Sequence, residues 1–227
     1  MAATHPTQIP LPLHARPTWG GKRAGAGRKP GPRPWVPRVP RPPHRRDHPV
    51  HVTLRAGAGL PNLRSARVFA AVRGALGLAS TERFRVVHFS VQHDHLHMLV
   101  EASSREALSR GVQGLAIRVA RAVNRALGRT GRVWGDRYHA RVLTTPREVR
   151  NALVYVLNNW KKHGSEALVL DRCSSAPWFD GWKGRYGGVP AGEPPVVPAR
   201  TWLLRTGWRR HGLIDVEEAP GRRMPRR

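Results

Sequence analysis

The chain has one cysteine, Cys173, in 227 residues. That excludes an internal disulfide and any zinc site built on several thiolates, and it fits a reducing compartment. Acids are scarce: 14 Asp and Glu stand against 40 Lys and Arg, a formal net charge of +26. So large an excess points to a polyanionic partner. Nucleic acid comes first, because neutralising phosphates releases counterions and supplies affinity without base readout. No apolar run approaches the roughly 20 residues a helix needs to cross a bilayer, and arginine is spread along the whole chain, so no membrane partner is expected. The opening residues lack the apolar core of a secretory signal, and none is expected. No internal repeat is visible. Composition alone fits a small ribosomal or chromatin-type binder as well as an enzyme.

Residues 1–48 are rich in Pro, Gly and Arg, and read as a disordered or extended basic tail. Lys22, Arg23, Arg28 and Lys29 lie in it and are candidate contacts to a phosphate backbone; a solvated linker is the plainer alternative. Residues 49–165 read as the folded domain, and 166–227 as an extension rich in Trp and Arg.

Inside the domain, Val50–Arg55 alternates like a strand. Val68, Val72 and Leu76 form one helical stripe. Val87, Phe89 and Val91 alternate within a second strand, Phe84–Gln92. His93-Asp94 is short enough for a two-residue turn, and His95–Ala102 pairs back as a third strand. Ser103 and Ser104 cap a long helix that carries Leu108, Leu115, Val119, Val123 and Leu127 and stops near Gly128. Arg132–Thr144 reads as a fourth strand. The order β-α-β-β-α-β predicts an α+β, ferredoxin-like (split βαβ) antiparallel sheet with helices packed on one face. A last helix follows, with Thr145 as N-cap, Pro146 at its first position and Glu148 completing a capping box. Its stripe is Val149, Ala152, Leu153, Val156 and Trp160, and it is expected to run through Lys162. Trp202–Arg210 reads as a short basic amphipathic helix.

His95 and His97 flank one apolar residue on a strand, so both point to the same face, with backbones roughly 6.5–7 Å apart. Their rings can converge on one cation, while Leu96, Met98 and Val100 point into a core. On the last helix Tyr155 and Asn159 stand at i and i+4, at the rim of the buried stripe. Two imidazoles and an amide oxygen can hold a divalent cation with open positions, which would polarise a scissile phosphate for attack by the tyrosine hydroxyl. A free phenol titrates near 10, so a cation and the basic surroundings would have to favour phenolate. This mixed N/O ligand set suits Mg²⁺ or Mn²⁺ and would also accept Zn²⁺ or Ni²⁺.

His95-Leu96-His97 resembles the His-hydrophobic-His signature of HUH endonucleases. Together with Tyr155-Val156-Leu157-Asn158-Asn159 it resembles the single-tyrosine transposases of bacterial insertion sequences, REP-associated tyrosine transposases in particular. Val50–Arg55 is similar to that family's first strand, and Arg137-Tyr138-His139 to the segment before its tyrosine helix. The resemblance covers about residues 48–165. It implies Tyr155 as nucleophile, His95, His97 and Asn159 as ligands of Mg²⁺ or Mn²⁺, and cleavage and rejoining of single-stranded DNA, beside a hairpin, through a 5′-phosphotyrosine. It implies a bacterial cytoplasmic protein at the nucleoid; a homodimer sharing active sites and a lone monomer both fit. Two positions depart from the family: Asp94 stands where Asn or Gly is common, and Trp160 where Pro is. Arg55, Arg118, Arg121, Arg125, Arg137, Arg141, Lys161 and Lys162 are candidate DNA contacts.

Plainer readings stand beside these. A His-x-His on a strand is more often a surface pair than a metal site. Tyr138 is the rival nucleophile, but it has no ligand-type partner at a useful spacing. His88, His93 and His139 could relay protons, but ordinary polar positions are the plainer account. Trp178, Trp182, Trp202 and Trp208 either stack on unpaired bases or staple the C-terminal segment to the core. The rival function is a non-catalytic, domesticated nucleic-acid binder on the same fold.

Overall fold

The computed structural model describes residues 43–159, 170–184 and 192–219. Four strands, β1 (Val50–Arg55), β2 (Phe84–Val91), β3 (His95–Ala102) and β4 (His139–Val142), form one antiparallel sheet in the order β2-β3-β1-β4. Helix α1 (Ala66–Gly77) links β1 to β2, and α2 (Arg105–Leu127) follows β3. This is the expected α+β split βαβ arrangement.

Alternation along the strands builds two layers. Val50, Val52 and Leu54 of β1 and Leu96, Met98 and Val100 of β3 pack with Val68, Val72 and Leu76 of α1 and Leu108, Val112, Leu115, Val119 and Val123 of α2. Ser104 caps α2, its side chain accepting from the Ala107 N–H at 3.1 Å, and Gly128 ends the helix at φ +62°, a conformation glycine adopts without steric cost.

The opposite face is covered too. Helix α3 (Pro146–Leu157) lies there, joined by the chain from Leu170 onward in a second core of Val87, Leu99, Leu143, Val149, Leu153, Val156, Trp208 and Ile214. Polar staples fix the later segments. Glu101 accepts from the N–H groups of Arg200 and Thr201 and from the Thr201 hydroxyl. Arg150 pairs with both carboxylate oxygens of Glu218. Trp208 is 1% exposed and stacked near Phe179, so it acts as a staple. Trp202, 46% exposed, carries Arg210 over its ring. The expected helix over Trp202–Arg210 divides into a turn of α-helix, α4 (Trp202–Arg205), and a 3₁₀ segment, Gly207–His211. The Trp202 ring packs so closely on Gly207 that a side chain there would collide with it.

Three expectations are corrected. The simple alternation of β2 is interrupted by a bulge between Val86 and His88. Val87 therefore joins the second core while Phe89 and Val91 join the first. The fourth strand is short, and of its expected N-terminal part only a bridge between Ala56 and Trp134 remains. The Trp134 indole N–H instead donates to Ala116 O of α2, drawing that stretch off the sheet. Helix α3 ends at Leu157 rather than running through Lys162. Asn158 caps it and spends its amide on the carbonyls of Asp215 and Glu218. Its own N–H still closes the last turn on Val154 O, and its φ of −107° with ψ of 10° leaves the helical range.

His88 is packed edge-on against Phe179, with Nδ1 3.2 Å from the Ser175 hydroxyl. Burial pushes its pKa down to about 4. Between about pH 6.5 and 4 the unfolded chain therefore takes up a proton that the folded chain refuses. The stability His88 contributes is complete above pH 6.5 and is lost as pH falls towards 4. The expected loss is on the order of 1–3 kcal/mol. Urea midpoints measured across this range should fall less in His88→Gln than in the unaltered protein; an equal fall would refute the assignment.

Candidate active site

The candidate site lies on the face of the sheet under α3. On the central strands, β1 presents His51, Thr53 and Arg55, and β3 presents His95 and His97. Pairing sets Thr53 opposite His97 on one side and opposite His139 on the other, while Ser90 of β2 faces His97 from the far strand. The β2–β3 turn that delivers the histidines is His93-Asp94. It is held from outside by the Ala56 N–H donating to Asp94 O at 2.8 Å and the Leu63 N–H donating to His93 O at 2.9 Å.

The His95 and His97 rings meet edge-on, with centroids 4.6 Å apart. His97 is 4% exposed. Its Nδ1 lies 3.0 Å from the Thr53 hydroxyl and 3.2 Å from His51 Nε2, so two β1 side chains fix the ring. Burial, with help from the nearby His139 and Arg141 charges, pushes the pKa of His51 down to about 4. His51 is thus neutral at ordinary pH. His95 Nδ1 lies 2.6 Å from Asp94 Oδ1. That bond, reinforced by Arg55, holds the Asp94 carboxyl below the usual carboxylate range.

Helix α3 delivers Tyr155 to this cluster. Thr145 caps the helix by accepting from the Glu148 N–H, and Glu148 accepts in turn from the Thr144 N–H and hydroxyl. Leu153, Val156 and Leu157 bury the stripe that orients it. From Ala152 to Asn159 only Tyr155 is not fully buried. Its ring centroid is 5.0 Å from that of His97 and 5.6 Å from that of His51, both edge-on. Tyr138 packs instead against the α1/α2 core, with the opposite layer.

Residues 74–159 match the family model described as Transposase IS200 like. The match runs from the last turn of helix α1 to just past the end of helix α3 and includes His95, His97, Tyr155 and Asn159. A solved structure of a REP-associated tyrosine transposase bound to a REP hairpin is similar at a TM-score of 0.47 and 16% identity, over 57% of this chain and 75% of that one. No curated protein matches the chain.

The other predicted site residues are distributed unevenly. Asn159 is 3% exposed, just past the cap of α3 and outside its regular turns. Arg55 is exposed and paired with Asp94, and Arg141 with Glu148. Arg118, Arg121 and Arg125 are exposed on α2, across the sheet from the histidines. Arg137 is exposed just before β4. Lys22, Arg23, Arg28, Lys29, Lys161 and Lys162 lie outside the described residues. His51 and Thr53, which touch His97, escaped the sequence reading. Their signal was the alternation of β1, which puts residues 51, 53 and 55 on one face, but the register against β3 is not written in either strand.

Among the described residues no group of three His, Cys, Asp or Glu converges as a metal cage. The donor set is nevertheless suited to a divalent cation. His95 is bonded to a carboxylate through Nδ1, which leaves Nε2 as its donor atom. His97 is fixed beside it, and Asn159 is the buried amide that would complete a mixed N/O set.

Proposed function

We propose that this domain cleaves and rejoins single-stranded DNA, beside a hairpin, with Tyr155 as nucleophile and His95, His97 and Asn159 holding Mg²⁺ or Mn²⁺. The observation that supports it is the meeting of Tyr155 from α3 with the paired imidazoles of β3, ring centroids 5.0 Å apart at His97. A bound cation would supply Lewis acidity at the scissile phosphate and favour the phenolate. Tyr155 Oη attacks phosphorus and the bond from phosphorus to the 3′-oxygen breaks. The departing 3′-oxygen takes up a proton, the phenol gives one to solvent, and the 5′-phosphate stays on Tyr155. Attack by a 3′-hydroxyl reverses the step and joins strands. The exposed cations Arg55, Arg137 and Arg141, with the basic tail, would hold the DNA backbone and make binding strongly salt-dependent.

The test uses end-labelled single-stranded oligonucleotides with candidate hairpins, incubated with the full chain and Mn²⁺ and then denatured. A covalent protein–DNA adduct is expected, and Tyr155→Phe should abolish it. An adduct that persists in Tyr155→Phe refutes the nucleophile. Salt-sensitive binding with no adduct on any oligonucleotide supports the non-catalytic binder instead.

A further inference from the structure

The residue before the paired histidines is an acid, and it is built into them. Asp94 Oδ1 lies 2.6 Å from His95 Nδ1, while Asp94 Oδ2 accepts from Arg55 Nε at 3.2 Å and Nη2 at 3.0 Å. Arg55 and His95 are partners in the β1–β3 register, and the Asp94 carbonyl is bonded by the Ala56 N–H, so both ends of the chain of contacts sit on rigid backbone.

A carboxylate at hydrogen-bond distance from one ring nitrogen fixes the tautomer. The proton sits on Nδ1 and the lone pair on Nε2, and an ionised acceptor makes the ring a stronger donor to a metal. The guanidinium holds the carboxylate in place through two hydrogen bonds to Oδ2, leaving Oδ1 for the His95 ring. The contacts are on the surface, where an ion pair is worth about 0–1 kcal/mol of stability. Fold maintenance is therefore a poor account of three residues so closely fitted.

We propose that Asp94, clamped by Arg55, is a positioning residue that holds His95 as its Nδ1–H tautomer with Nε2 presented to a divalent cation, and so sets the affinity of the site for metal. The proposal rests on the reading that His95 and His97 bind a cation.

Two measurements on the full chain test it. Mn²⁺ binding, followed by the loss of the free-ion electron paramagnetic resonance signal, should be 10–100-fold weaker in Asp94→Ala than in the unaltered protein. Arg55→Ala should lose several-fold, and His95→Ala should bind no Mn²⁺ at this site. Imidazole ¹⁵N shifts of the metal-free, unaltered protein should show His95 protonated at Nδ1, a readout that needs no variant to fold. An Asp94→Ala affinity within twofold of the original, or an Nε2–H tautomer at His95, overturns the positioning role and leaves the metal site standing. Should the unaltered protein bind Mn²⁺ no better than His95→Ala, the metal site itself fails, and this role with it.

Discussion

His97→Ala should lower the rate of covalent adduct formation by about 10³-fold at saturating Mn²⁺, since a Lewis acid contributes several kcal/mol to such a step and each 1.36 kcal/mol is tenfold. The effect has two sources on one side chain. The ring is a candidate metal donor, and it also packs edge-on against Tyr155 while meeting the β1 residues Thr53 and His51. Alanine removes the donor and leaves those two polar groups without it, which should cost about 1–2 kcal/mol of stability as well. Urea midpoints measured beside the adduct assay separate the two losses. A rate within tenfold of the original would remove His97 from the chemistry.

The largest expected loss of stability lies at Arg64→Ala. Arg64 reaches both carboxylate oxygens of Asp171, at 2.7 and 3.0 Å, and the Val91 carbonyl at 2.8 Å. Asp171 is 4% exposed, so truncating the arginine strands a buried charge. Breaking such a pair from one side costs about 3–5 kcal/mol. Much of this should return in Arg64→Met combined with Asp171→Asn, because the second change removes the stranded charge. The Val91 N–H donates to Cys173 O beside the pair, so its hydrogen exchange should accelerate in Arg64→Ala. A urea-derived loss under 1 kcal/mol would show that the pair is not what anchors this segment.

Much of the fold was legible because its signals are local. Ser104 and Gly128 bound α2, and Thr145 and Pro146 open α3, as their side chains dictate. His95, His97 and Tyr155 could be selected because period-2 and period-3.6 spacing fix which residues share a face. What stayed hidden depends on partners distant in sequence. At the end of α3, Asn158 is bonded to the carbonyls of Asp215 and Glu218, some 60 positions away. The departure of Trp134 from the sheet is set by a carbonyl of α2. The roles of His51 and Thr53 depend on register, which alternation leaves free by steps of two. Arginines looked alike in sequence, and only the layer each helix occupies separates Arg118, Arg121 and Arg125 from the histidine face.

Strand β3 is hydrogen-bonded along its length on both sides, to β1 and to β2. An insertion or deletion of one residue within it would swing both imidazoles through to the α1/α2 layer and bring leucine and methionine out beneath Tyr155. Length variation among related chains should therefore collect elsewhere. β2 already carries one extra residue at its bulge without disturbing what faces His97, and loops other than the His93-Asp94 turn tolerate changes of length more readily. The histidine strand is the part of this domain whose residue count evolution can least afford to change.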